Sequence, residues 1–287
     1  MPTLEQVDAF RAGIDDLSTL AIRDTKTLLA SLSGASGVET RNALIEYLPS
    51  MIDPYVTASS ELAAGWYEEL RADAIGGRFY ATADAAVNRA QVNALVRYGV
   101  KPLFGQSDAS PLSLIGGGVQ KLVAGASRDT IDTNITRDPV IVGYARTPQP
   151  GCCAFCGMLA SRGAVYRSGN TAGEVVGRGV DSSIALDENG NRRQGYVGGV
   201  GKGVKARGVQ GLGEKFHDFC RCVATPVFSG ADNSAVTETT DKYMDMYLQS
   251  VGTSTSAYSK KDPTNAQFES VSAKETLANW RREFGTK

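Results

Sequence analysis

An α+β fold is predicted for this chain: a helical N-terminal region, then a small α/β module, then a short helical tail. Three observations predict it. Apolar residues recur at helical spacing through residues 1–137. β-branched residues take over just after Pro139. The chain's five cysteines fall into two short clusters, Cys152, Cys153 and Cys156, then Cys220 and Cys222, with its one histidine, His217, beside the second. The expected organisation is a helical domain at 1–137, a cysteine-bearing module at 138–229 and a helical tail at 230–287.

The first helix follows from Leu4, Val7, Phe10, Ile14, Leu17 and Ala21, which step by three and four along one face. Leu28 and Leu29 prolong it, and Gly34 lies past its end. Asp53-Pro54 has the form of a helix start, a capping side chain followed by proline at the first helical position. Val56, Leu62, Ala63, Trp66 and Leu70 continue that segment as an apolar stripe. Thr82 is expected to open a third helix, through Val87, Leu95 and Val96 to a stop at Gly99. Ser110-Pro111 opens a fourth, through Leu122 and Val123, although Gly116 to Gly118 weaken it.

After Pro139, Val140-Ile141-Val142 reads as a strand and Pro148 to Gly151 as a turn. Ala164-Val165-Tyr166 and Val223 to Phe228 read as further strands. Residues 169–213 between the cysteine clusters are rich in glycine, and Arg178, Arg192, Arg193, Lys202, Lys205 and Arg207 make them basic. A connection this long is either a loose insertion or an arm that orders on a partner. Val236 to Val251 forms a tail helix, and Ser272 to Glu275 has the capping-box pattern of a last one.

Composition narrows the function. A net charge of -1 gives no global attraction to nucleic acid or membrane. No apolar run approaches the roughly 20 residues of a membrane span, and the N-terminus has no signal-peptide pattern. A reducing cytoplasmic setting is therefore expected, where clustered cysteines serve as metal ligands or reactive thiols more often than as disulfides. Cys153-Ala154-Phe155-Cys156 has the Cys-x2-Cys spacing of a metal knuckle. His217, Cys220 and Cys222 supply three further donors, and an extended backbone points residues 220 and 222 to the same side. One structural Zn2+ is the expected cofactor. Five candidates, Cys153, Cys156, His217, Cys220 and Cys222, compete for four places, and spacing leaves the choice open. Cys152 is expected to point away from the ion.

The string from Gly151 to Tyr166, followed by Phe216-His217-Asp218-Phe219-Cys220-Arg221-Cys222, resembles the MuF-like minor capsid proteins of phages, in the variant found in phages of actinobacteria. Arg128-Asp129-Thr130 and the region of Arg146 also look like that variant. The likeness is specific over residues 138–228 and architectural before them. It departs from the simplest pattern in the doubled Cys152-Cys153 and in the glycine-rich insertion. It implies a minor head component, few in copy, inside the capsid near the portal, with the portal protein and the major capsid or scaffold components as partners. Non-specific contact with packaged DNA fits that setting, while a membrane or a small-molecule substrate does not.

Two other functions compete. A capsid maturation protease would use Cys152 or Cys220 as nucleophile with His217 as base, but no Gly-x-Ser-x-Gly elbow or His-Glu-x2-His helix is present. A zinc-knuckle nucleic-acid binder would use Arg221 and the basic insertion on phosphates, with Phe155 or Phe219 stacked on bases. Trp66 and Trp280 read as packing anchors, and the acid pairs Asp15-Asp16 and Glu68-Glu69 as solvated. A structural, non-enzymatic role is the expectation.

Overall fold

A computed structural model describes residues 2–164, 220–252 and 273–286. Thr3 starts the first helix, α1 (Leu4–Ser31), with a capping box: its side chain accepts from the Gln6 amide and Gln6 reaches back to Thr3 N. The buried face carries Val7, Phe10, Ile14 and Ala21 of the predicted stripe, while Leu4 is exposed and Leu17 half-buried.

The second helix, α2 (Gly37–Ile75), corrects the expected start at Asp53-Pro54. It begins at a capping box between Ser36 and Glu39, and both Pro49 and Pro54 lie inside it. Each proline lacks the amide that would bond the carbonyl four residues back. Leu44, Leu48, Ile52 and Val56 nevertheless carry one buried stripe past both prolines. That burial outweighs the roughly 3 kcal/mol that an internal proline costs.

The third helix also begins later than Thr82. The Thr82 amide donates to Asn134 Oδ1 at 2.8 Å, and Asn134 Nδ2 donates back to Thr82 O at 2.8 Å. The Asp84 amide donates to Thr130 Oγ1 at 3.0 Å. With their backbone groups committed to the neighbouring helix, these residues stay extended. The helix α3 (Arg89–Gly99) starts where Asn88 caps the amides of Ala90 and Gln91. A short 3-10 turn (Lys101–Phe104) follows.

The fourth helix, α4 (Pro111–Arg137), starts at Ser110-Pro111 as expected and runs far beyond Val123. The Gly116 to Gly118 triplet is buried within it, and its value lies in approach distance. A Cβ on Gly118 would stand 2.1 Å from Leu95 Cδ1, and one on Gly99 2.2 Å from Ile115 Cγ1. Glycine at these contacts lets α3 and α4 pack closer than any side chain would allow.

Two strands follow, β1 (Ile141–Thr147) and β2 (Val223–Phe228), paired antiparallel from Ile141 opposite Phe228 to Thr147 opposite Val223. The predicted first and last strands are thus present. Of the predicted strand at Ala164 to Tyr166, Val165 and Tyr166 lie outside the described residues, as does the insertion at 169–213. Between the strands comes α5 (Ala154–Ala160), and the tail consists of α6 (Ser234–Gly252) and α7 (Ala273–Phe284). The described chain is mostly helical with a small two-stranded sheet.

Two apolar clusters organise the bundle. One joins α1 to α4 through Ala21, Leu48, Ile52, Val96, Ile115 and Val119. The other packs the sheet onto α1, α2 and α4 through Phe10, Trp66, Tyr67, Ile131, Tyr144 and Phe228. Phe10 and Trp66 stack with ring centroids 4.1 Å apart, as the anchor reading of Trp66 expects. The buried Asp138 carboxylate pins the junction of α4 and β1, accepting from Arg71 Nε at 2.8 Å and from the Tyr67 hydroxyl at 3.2 Å.

Candidate metal centre

The cysteines are delivered by two local structures. Gly151, at φ +73°, turns the chain after β1, and Cys152 N closes the turn onto Gln149 O at 3.2 Å. Cys153 then caps α5, its Sγ accepting from the Cys156 amide at 3.5 Å. That amide-to-sulfur contact across a Cys-x2-Cys turn is the local geometry of a metal knuckle. Cys156 points inward from the first turn of α5. On the other side, Cys220 and Cys222 lead into β2, both buried, with Arg221 between them exposed. The alternation puts both thiols on the inner side, as the extended-backbone argument predicts.

The sulfurs of Cys156, Cys220 and Cys222 all lie within 4.8 Å of one another, and those of Cys156 and Cys220 are 3.6 Å apart. Sulfurs at about 2.3 Å from a tetrahedral ion stand about 3.8 Å apart, so the spacing suits one cation. No disulfide joins cysteines among the described residues. Cys153 and Cys152 pack against the same group from the half-buried side. Cys152, expected to point away, is thus near the cluster but outside the three-sulfur set, with its Sγ 3.5 Å from the Tyr243 hydroxyl. His217 lies outside the described residues.

Two arginines from the helical bundle fix the Cys-x-Cys segment. Arg128 of α4 donates through Nη2 to Cys220 O at 3.0 Å, and through Nε and Nη2 to Cys222 O at 3.2 and 3.0 Å. Arg11 of α1 donates to Arg221 O and to Thr147 O, both at 3.2 Å, and pairs with Asp8. Arg221 itself turns outward to Asp15 at 3.5 Å. Arg146 of β1 is also fully buried and acts electrostatically on Cys222.

The thiols titrate as a group. Hydrogen bonds to Cys153 and Cys220 push the Cys156 thiol up. Cys220 is held low because Cys156 and Cys222 donate to it, with the Arg128 guanidinium acting in the same direction. Burial pulls Arg128 down, and Cys220 and Cys222 oppose that pull. Crowded buried thiols oppose one another's ionisation, and a divalent ion would allow all of them to ionise. The donor chemistry therefore fits a metal, and Cys156, Cys220 and Cys222 are the residues placed to hold it.

The sequence singled out the cysteines but missed Arg11 and the role of Arg128. The available signal was position: Arg128 falls on the buried stripe of α4 between Ala124 and Ile131, where a charge needs a partner. The aromatic anchor Trp280 of α7 is buried against α5, where a Cβ on Gly157 would meet its ring at 2.5 Å.

A mostly helical protein with a two-stranded sheet and a buried, metal-competent thiol cluster is the class these features define. Its helices include none long and apolar enough to cross a membrane among the described residues. The family model described as VG15 protein matches residues 1–250, and the chain belongs to this family of phage gene products. No curated protein and no solved structure matches it.

Proposed function

We propose that the chain is a structural minor head protein of a phage, held together by one zinc ion at the cysteine cluster. It docks near the portal inside the capsid and supports head assembly or genome delivery. The observation that carries this reading is the VG15 match, which spans the helical bundle and both cysteine segments. The MuF-like likeness over residues 138–228 supplies the finer role. Cys156 and Cys222 lie at opposite ends of the connection between β1 and β2, so an ion there would cross-link the segment at its base. An ion with four protein ligands leaves no open position for catalysis. The burial of Cys156, Cys220 and Cys222 likewise suits ligands better than an accessible nucleophile.

Mass spectrometry of gradient-purified particles of the encoding phage tests the role. The chain should be present at a few copies per particle and protected from external protease. Its absence from particles removes the head-protein reading. Elemental analysis of protein purified without added metal tests the centre: about one zinc per chain is expected, and a metal-free protein with a fast-reacting thiol would instead favour the Cys/His protease.

A further inference from the structure

We infer that occupancy of the metal centre governs whether α7 and the C-terminal half of α6 stay docked, with α5 as the element that couples the two. The inference rests on the structural-metal reading above and gives the ion a conformational role. The first argument is where the tail is held. Among the described residues, the apolar clusters that contain side chains of α6 and α7 draw otherwise on α5, its flanks and the sheet, and on none of α1 to α4. Tyr243 and Trp280 stack with ring centroids 6.4 Å apart and pack with Ala154 and Met158 of α5. Trp280 is buried over Gly157, at the close approach described above. The Asn279 side chain donates to Ser250 O at 2.9 Å, which ties α7 to the end of α6. Val236 anchors the start of α6 to Ala145 and Val227 of the strands, so the later turns are the ones that α5 holds.

The second argument is the place of α5 between the tail and the sulfurs. It has 7 residues, and a helix shorter than about 12–15 residues is marginal in water on its own. Packing holds it from two sides. Cys156 joins the sulfur group of Cys220 and Cys222, while Ala154, Gly157 and Met158 meet the tail. Cys156 and Gly157 are neighbours, so the residue placed to bind the ion and the residue that receives Trp280 share one helical turn. Just before the helix, Cys152 Sγ stands 3.5 Å from the Tyr243 hydroxyl. An ion joining Cys156 to Cys220 and Cys222 fixes α5 against the sheet, and with it the surface on which Trp280 rests. Withdrawing the ion removes one of the two supports of a helix that needs both. Coupling between two sites is reciprocal, so the docked tail must strengthen metal binding by the factor by which the metal strengthens docking.

Amide hydrogen exchange of the full-length wild-type chain, with its metal and after chelation verified by elemental analysis, reads the coupling. Peptides of α7 and of the second half of α6 should exchange about 5–150-fold faster without metal, the ordinary span of coupling between two sites, while α1 to α4 keep their protection. Unchanged protection of α7 in the metal-free chain overturns the inference, and so does an equal loss of protection in every helix. The reciprocal arm measures zinc affinity by competition with a chromophoric chelator. Trp280→Ala should bind zinc about 5–150-fold more weakly than wild type. Leu44→Ala, a comparable truncation in the bundle core away from α5, should bind as wild type does. A Trp280→Ala chain with wild-type affinity, or a Leu44→Ala chain weakened to the same degree, refutes the coupling. A wild-type chain that takes up no metal fails at the earlier step, the structural-metal reading, whereas one that binds metal with an indifferent tail fails only here.

Discussion

Arg128 shows how a single side chain couples the two halves of the molecule. It leaves α4 on the buried stripe and ends on two carbonyls of the Cys-x-Cys segment. Its charge faces the sulfurs while its hydrogen bonds set their backbone. Removing an outer-shell partner of a metal ligand set lowers metal affinity about 10–100-fold. Arg128→Gln is expected to fall in that range, and Arg128→Lys, which keeps the charge but not the forked donor pattern, between it and wild type. Competition with a chromophoric chelator measures this. Equal affinities in all three proteins would remove Arg128 from any role at the centre. At this scale the cysteines were legible because Cys-x2-Cys and Cys-x-Cys are local patterns. Arg11 was not, because its partners, Thr147 and Arg221, are far away in sequence.

Among the elements, α1, β2 and α6 follow closely from periodicity, whereas α2 and α3 depart from it for identifiable reasons. In α2 the capping signal at Ser36 and Glu39 competes with a proline signal at Pro54, and the continuous stripe from Leu44 to Val56 decides for the earlier start. In α3 the delay to Arg89 comes from long-range hydrogen bonds to Thr130 and Asn134, which no local pattern reveals. The glycine triplet of α4 lowers helix propensity, yet its packing against Leu95 and Ile22 keeps the helix unbroken. Pro54 is exposed, so it contributes little packing to offset its missing amide. Pro54→Ala should therefore raise unfolding stability by about 1–2 kcal/mol, less than the full helix-interior penalty because the unfolded chain also gains freedom. Urea denaturation gives the number, and a loss of stability would mean that the proline shapes the helix to its neighbours.

For the molecule as a whole, the thiol cluster and the apolar core are separate. The two apolar clusters of the bundle contain no cysteine, and the thiol cluster contains little else. Chelation is therefore expected to leave most of the helical circular dichroism intact. It should sharply increase amide exchange and thiol reactivity at Cys156, Cys220 and Cys222. Global loss of helix on chelation would instead make the ion a keystone of the bundle. The α+β expectation holds in outline, with a sheet of only two strands among the described residues. The strand pattern after Pro139 was readable from β-branched content, but how the sheet packs on the bundle rests on Trp66, Tyr67 and Phe228 meeting from distant segments.

Thr147 sits opposite Val223, so the chain leaves the frame and returns to it at one point. The entropic cost of joining two fixed points grows only with the logarithm of the chain between them, about 0.6 kcal/mol for each doubling. By the same arithmetic, the sequence between the two cysteine segments could change in length at little cost to the helical frame, so long as both ends still reach the thiol cluster.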